Sequence, residues 1–302
     1  MRVSVDDGVY LDVYNLHADA GTQPDDLAAR NSNLHQVASH IDIWSEGNAV
    51  LVFGDTNCRY TRTEDDIRIF MDQNGMTDAW IELIHGGNIP TQETICENPS
   101  TTNECEIVDK VFYRGSPIVE LSATSFNYEG QKFLQPDGSI LADHNPIAVE
   151  FDWKLSDKLR QSNYLGGPHG TWFTDLPALS EKTGAIKASE ITFRGGSRLD
   201  SVGITLEDGT SFVHGGSDGN PVSLTLGPDE YWTSAVLCQG QRSGRTRNFY
   251  IEATTSAGNT LASGTETADC ETFTAPEGWQ IVGFLGRDGD EIDQLAFVYA
   301  PQ

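Results

Sequence analysis

The segment Val9-Tyr10-Leu11-Asp12-Val13-Tyr14-Asn15-Leu16-His17 alternates, which predicts a strand with Val9, Leu11, Val13, Asn15 and His17 on one face. That apolar face ends in two polar residues. From Asp25 the period lengthens to that of a helix: Leu27, Leu34 and Ile41, interleaved with Val37 and Trp44, run to a stop near Glu46-Gly47-Asn48. Asp25 and Asp26 stand in its first turn, where the helix dipole favours acids. Ala49-Val50-Leu51-Val52-Phe53 is a continuous apolar run, the pattern of a strand covered on both faces, and it leads directly into Gly54-Asp55-Thr56-Asn57. Thr63 with Asp66 three residues on, and Gly75 after the stop, predict a second helix. Residues 85–106 read as loop, and Ile107–Tyr113 and Ile147–Phe151 as further strands. The first half is therefore expected to mix α and β structure.

Beyond Trp153 the pattern changes. Residues 155–165 are largely polar, and past them come only short alternating runs, such as Val202, Ile204 and Leu206, then the Asp208-Gly209 turn, then Phe212 and Val213. This predicts an all-β domain over 166–302, joined by a linker at 155–165 to a first domain at 1–154. A chain of 302 residues, 38% hydrophobic, has enough apolar material for two cores.

Charge narrows the function classes. Acidic residues outnumber basic ones 26 to 9 through residue 154 and 19 to 10 after it. Binding to nucleic acid draws on Lys and Arg to replace counterions, so a polynucleotide is demoted as a partner. No run of 18 apolar residues occurs, which excludes a transmembrane helix, and Met1–Gly8 lacks the apolar stretch of a secretory signal. Cys96 and Cys105 share one polar loop, Cys238 and Cys270 both lie in the second half, and Cys58 is left over. Two disulfides in a secreted protein is the favoured reading, five reduced thiols in a cytosolic one the alternative. Paired Cys-x-x-Cys spacing is absent, which argues against zinc.

In the first half, the polar residues that emerge at strand ends are Asn15 and His17, Asp55 and Asn57, Asp109, and Asp143-His144. Hydrolysis of a phosphodiester needs a hard cation on oxygen ligands, an activated water, and donors for the charge that develops on phosphorus. Carboxylates, Asn and His supply all three. Taken singly, Asp55 reads as a turn residue after a strand and Asp143 as an ordinary loop acid; only their order along the chain makes a constellation. That order, in Asn15-Leu16-His17, Gly54-Asp55-Thr56-Asn57, Val108-Asp109-Lys110-Val111-Phe112 and Ala142-Asp143-His144-Asn145-Pro146, resembles the endonuclease/exonuclease/phosphatase superfamily over residues 5–153. These are DNase I-like phosphodiesterases that include the neutral sphingomyelinases. Ala142 stands where the family usually has Ser.

The resemblance implies the later part of an α+β four-layer sandwich. It implies that His144, oriented by Asp109, serves as general base or phosphate partner. Asp55 and Asn57 would position water and phosphate, His17 would contact the phosphate, and Asp143 would assist a Mg2+ site. Arg30 and Gln36, on the helix after His17, also resemble the sphingomyelinase-like branch, although polar helix residues are ordinarily just solvated. The family's Asn-bearing first strand and the Gln-Glu whose Glu holds the metal would precede Met1. Weak or absent catalysis by residues 1–302 is expected on that count, with an apolar sheet face left uncovered.

In the second half, Gly166-Gly167-Pro168-His169-Gly170, Val213-His214-Gly215-Gly216, and Ile281-Val282-Gly283-Phe284 followed by Gly289-x-x-x-Asp293 carry a resemblance to the jacalin-related lectins over 166–300. A carboxylate that accepts hydroxyl protons, beside backbone N–H groups left uncovered by glycine, suits a sugar. The resemblance implies a β-prism of three four-stranded sheets. It implies a carbohydrate site at Gly170, Gly289 and Asp293, with Asp290 and Glu291 offering mainly backbone N–H groups. His169 replaces a usual glycine, two acids fill the middle of the loop, and Gln294-Leu295-Ala296 replaces the common small-residue ending, so sugar preference is open. His214 reads as a turn residue, and Trp232 with Tyr231 as core. The whole chain then reads as a glycan-binding lectin that carries a sphingomyelinase-like hydrolase domain acting on a phosphodiester such as a lipid headgroup. A lectin with an inactive hydrolase half, and a secreted endonuclease, are the alternatives.

Overall fold

The computed structural model describes residues 1–302. The chain divides into two compact units, Met1–Val5 with Tyr10–Lys154, and Asp6–Val9 with Leu155–Gln302. No helix is long and apolar enough to cross a membrane.

The first unit is built from β1 (Arg2–Asp6), β2 (Val9–His17), α1 (Pro24–Trp44), β3 (Ala49–Asp55), α2 (Ile69–Asp72), β4 (Thr77–Asp78), α3 (Ala79–Leu83), β5 (Asp109–Arg114), β6 (Val119–Tyr128) and β7 (Ile147–Leu155). One sheet runs β1-β2-β3-β5-β4, and β6 pairs with β7 in a second. β2 and β3 are parallel, as their connection through α1 requires, whereas β5 is antiparallel to β3. α1 begins in a capping box between Gln23 and Asp26, with Pro24 in its first turn, and buries Arg30, Leu34, Ala38 and Ile41.

Three details depart from the sequence reading. In β2 Val9, Asp12 and Leu16 are buried whereas Asn15 and His17 are exposed, so the predicted apolar face opens to solvent only at its C-terminal end. Val50 and Val52 of β3 are fully buried, but Leu51 and Phe53 are only partly covered, so the run is shielded on one face. The second helix spans only Ile69–Asp72, and the expected Thr63–Asp66 start does not form: the Asp66 N–H donates to Asn31 Oδ1 at 3.1 Å and its carboxylate meets His35 Nε2 at 2.5 Å. A polar helix residue is ordinarily solvated, yet the Arg30 side chain is 1% exposed and that of its partner Asp65 0%. Nε and Nη2 of Arg30 reach Asp65 Oδ1 at 3.2 and 2.8 Å, and Asp65 Oδ2 accepts the backbone N–H of Arg59 at 2.8 Å.

The second unit contains β8 (Arg160–Gln161), β9 (Leu165–Gly166), β10 (Thr171–Thr174), α4 (Leu176–Ser180), β11 (Ala188–Gly195), β12 (Leu199–Leu206), β13 (Ser211–Gly215), β14 (Asn220–Thr225), β15 (Trp232–Arg242), β16 (Arg245–Thr255), β17 (Thr260–Gly264), β18 (Asp269–Thr274), β19 (Trp279–Asp288) and β20 (Ile292–Pro301). They make three sheets, β13-β12-β11-β14, β17-β16-β15-β18 and β10-β19-β20-β8, with β9 also on β20. Trp232, read as core, is fully buried where the three meet. Its ring lies 6.0 Å from Phe193 of the first sheet and 5.8 Å from both Phe284 and Phe297 of the third. Its indole N–H donates to Ser234 O, so the ring's one polar group is satisfied inside the prism. His214 corrects the turn assignment: it sits within β13, stacked on Phe173 at 3.9 Å, and its Nε2 is 2.8 Å from the buried Asp175.

Both disulfides form. Cys96–Cys105 closes the polar loop, and Cys238–Cys270 joins directly opposed positions of β15 and β18, while Cys58 is free and buried. Removing one partner of a buried ion pair leaves an unpaired charge, at a cost of about 3–5 kcal/mol. Asp65→Ala is accordingly expected to lower the stability of the first unit by an amount in that range, measurable by urea unfolding. A loss below about 1 kcal/mol, the level of a surface pair, would contradict the interior role.

Candidate functional sites

Register creates the first site. In the antiparallel β3–β5 pair, Asp55 at the end of β3 stands directly opposite Asp109 at the start of β5. The strand end is fixed by Gly54, whose φ of +131° and close approach to β2 leave no room for a side chain: a Cβ would lie 2.1 Å from Leu16 O. Beyond Asp55 the chain turns through Thr56, which hydrogen-bonds Val108 O through both its N–H and its hydroxyl. Asn57 follows at a φ of +51°, a left-handed conformation that Asn tolerates. Its backbone N–H donates to Asp55 Oδ1 at 2.8 Å, and its side-chain amide to Ala18 O at 2.9 Å.

His144 closes the site. Its Nδ1 is 2.7 Å from Asp109 Oδ2, and its Nε2 is 3.9 Å from Asp55 Oδ2. Burial opposes the imidazolium, but the hydrogen bond and charge of Asp109, with Asp55 and Asp143 behind them, outweigh it and raise the His144 pKa above its ordinary value. Burial also raises the Asp109 carboxyl, with the His144 hydrogen bond acting in the opposite sense. Asp55, Asp109 and His144 each offer an atom within 4.8 Å of the others, a donor set of two carboxylates and an imidazole that fits a divalent cation. His17 stands at the rim, its side chain 75% exposed and Nε2 3.4 Å from Asp55 Oδ2. Asp143 is exposed and lies outside the trio, lining a small cleft with His144, Asp109 and Arg59. A larger groove of about 520 Å³ runs from Asp109 and His144 along Leu51, Phe53, Val149 and Phe151, the partly covered apolar face.

Two features of this site lay outside the sequence reading. Asn145 is buried and pins two loops together: its Oδ1 accepts from Ser100 N and its Nδ2 donates to Glu97 O. Arg59 borders the cleft and is paired with Glu93. Burial pushes the Cys58 thiol up to about 12, so this neighbour of Asn57 is not a nucleophile.

In the second unit, Gly170 and Asp293 meet. Gly170 has a φ of +74°, and a Cβ there would fall 2.4 Å from Asp288 O and 2.6 Å from Asp293 Oδ2. A Cβ at Gly289 would fall 4.0 Å from the same oxygen. Asp290 is exposed at the tip of the loop. Glu291 is different from the residue expected to offer its backbone: its side chain turns inward and is held by Arg198, Arg242 and Arg247. Three arginines among the few basic residues of this half were the only sequence sign of that cluster.

Comparison with known proteins agrees with these two architectures. Residues 1–150 match the model of endonuclease/exonuclease/phosphatase family 2, and residues 162–298 match that of the jacalin-like lectin domain. The chain thus carries an endonuclease/exonuclease/phosphatase family 2 domain in its first half and a jacalin-like lectin domain in its second. The sphingomyelinases of Mycobacterium tuberculosis and Mycobacterium bovis are 41% identical over 146 residues, which is 48% of this chain and 28% of theirs. The matched part therefore spans little more than a quarter of those relatives. Secreted RxLR effector protein 19 of Plasmopara viticola is 30% identical over 164 residues, covering 50% of this chain and 86% of the effector. Among solved structures, a mannose-binding jacalin-related lectin from Ananas comosus is 20% identical, with a TM-score of 0.41, covering 48% of this chain and 99% of the lectin. Artocarpin in complex with mannotriose is 21% identical, with a TM-score of 0.42, over 48% and 99%.

Losing a residue that merely supports a metal ligand already costs about tenfold in affinity. Asp55→Asn, which removes a carboxylate of the trio itself, is expected to weaken Mn2+ binding by more than that in isothermal titration. Unchanged affinity in the variant would remove Asp55 from the cation site.

Proposed function

We propose that the protein binds glycans through the Gly170–Gly289–Asp293 notch and hydrolyses a phosphodiester at the Asp55–Asp109–His144 site. The observation that carries the first part is the approach of Gly170 to Asp293 Oδ2 with no side chain between them. A carboxylate oxygen flanked by two glycines can accept hydroxyl protons from a ring laid across the notch, while bare backbone N–H groups donate to the same hydroxyls. Asp290, exposed at the loop tip, adds backbone donors there.

At the other site, Mg2+ held by the carboxylates of Asp55 and Asp109, not by the outlying Asp143, would polarise the phosphoryl oxygen and lower the pKa of a water. His144, with Nδ1 fixed by Asp109, takes the water's proton at Nε2. Asn57 and His17, on either side of Asp55, contact the phosphate oxygens. A lipid headgroup fits better than a polynucleotide: the chain is strongly acidic, and Phe133, Ile140 and Leu141 are exposed in the stretch just before Asp143-His144. Similarity to the mycobacterial sphingomyelinases favours the same class. The two disulfides favour an extracellular setting.

On a glycan array the full chain is expected to bind at least one sugar class. Asp293→Ala should abolish that binding and His144→Ala should leave it intact; binding that survives Asp293→Ala would move the site elsewhere. With sphingomyelin vesicles and Mg2+, phosphocholine release is expected to be weak and to fall by about 10²–10⁴-fold in His144→Ala, the usual contribution of a general base. Cleavage of DNA in place of the lipid would overturn the substrate class.

A further inference from the structure

We propose that Arg247 is a positioning residue of the sugar site, holding one oxygen of Asp293 so that the other is presented, ionised, to the ligand. The proposal rests on the sugar-binding reading above. The Asp293 side chain is only 3% exposed, a costly place for a carboxylate. Its Oδ2 faces Gly170 and Gly289, whereas Oδ1 is buried and receives no hydrogen bond from the protein. The cation that reaches it is Arg247, with Nη1 3.2 Å from Oδ1.

The arginine cluster around Glu291 explains why this contact belongs to Asp293. Arg198 grips the Glu291 carboxylate in a two-pronged pair through Nε and Nη2, and Arg242 adds a third contact. Arg247 reaches Glu291 only at 3.5 Å, so Glu291 keeps its charge satisfied without it. Of the three arginines, Arg247 alone forms an ion pair with Asp293. Its own Nε is buried without a hydrogen-bond partner, a donor retained in the interior beside the notch. The charged groups facing Asp293 are Arg247 from β16, His169 from the loop before β10, Glu291 from the turn before β20, and Asp288 from the end of β19. Burial raises the Asp293 pKa, Arg247 and then His169 oppose that rise, and the two acids reinforce it. Without Arg247 the balance tips towards a protonated carboxyl, which donates where the sugar needs an acceptor.

The test uses the full chain, methyl α-mannoside and methyl α-galactoside as probes, and 13C NMR titration of the Asp293 carboxyl as a readout that needs no sugar. In Arg247→Met the carboxyl midpoint is expected to rise by about one unit, the usual effect of removing an adjacent opposite charge. Sugar affinity should be lost on acidification at a correspondingly higher pH. Arg247→Lys should keep the midpoint near the parent's, and Arg198→Met, which touches Glu291 and not Asp293, should leave it in place. An unmoved midpoint in Arg247→Met, or the same rise in Arg247→Lys and Arg198→Met, overturns the proposal. If Arg247→Met does not fold, Arg247→Gln takes its place with the same expectation. If Asp293→Asn binds the probes as well as the parent, the sugar-site reading fails, while the carboxyl titration still decides whether Arg247 governs Asp293.

Discussion

Two carboxylates placed face to face by strand register are the constraint on which the first site depends. Like charges directly opposite in an antiparallel pair repel, and Asp55 and Asp109 occupy such positions. The fold tolerates the pairing because each acid has a local partner. The Asn57 N–H takes one oxygen of Asp55, and His144 takes one oxygen of Asp109. The left-handed turn at Asn57 is part of the same solution, since it bends the backbone N–H back towards the carboxylate. What remains is a concentration of negative charge at a sheet edge that a proton on His144 or a bound cation relieves. The raised pKa of His144 is the protonic form of that relief.

The lectin unit meets a similar problem with different means. Asp293 lies against backbone, where glycine at position 170 leaves Oδ2 uncovered by a side chain and burial penalises the charge. No peptide N–H turns towards its Oδ1, so the compensation comes from a side chain on another strand. The neighbouring Glu291 gathers the other arginines, and in doing so fixes the loop between β19 and β20 that carries Gly289 and leads into Asp293 at the start of β20.

Much of this was legible in the sequence because period and turn chemistry are local properties. The apolar run ending in Gly54-Asp55, the helix over Leu27, Leu34 and Ile41, and the alternating runs after residue 166 follow from spacing alone. Long-range pairing is not local, and there the reading stopped. Arg30 looked like a solvated helix residue because its partner, Asp65, is 35 positions away. The helix at Ile69 is shorter than the Thr63–Asp66 spacing predicts, because a Thr with an acid three residues on reads the same whether or not that acid is engaged by another helix. Leu51 and Phe53 looked like core because a continuous apolar run does not say which face is covered. His214 was placed in a turn by the glycines after it, although they follow the strand in which it lies.

Net charge gives the two sites different problems of access. At −26 the chain repels anions at long range, but over about 8–10 Å salt screens that field. A neutral sugar is indifferent to it, so the lectin notch can surround its acceptor with acids such as Asp288 and Asp290 at no electrostatic penalty to the ligand. A phosphodiester is not indifferent, and Asp55, Asp109 and Asp143 oppose its approach. Such a substrate must be drawn in by something other than steering. On the proposed hydrolase reading, a cation held by the Asp55 and Asp109 carboxylates would do this at short range, and the exposed Phe133, Ile140 and Leu141 would do it for a phosphate carried on a lipid surface. On that reading, the same excess of acid that disfavours a polynucleotide would leave a lipid phosphodiester as the anionic substrate whose apolar part offsets the repulsion.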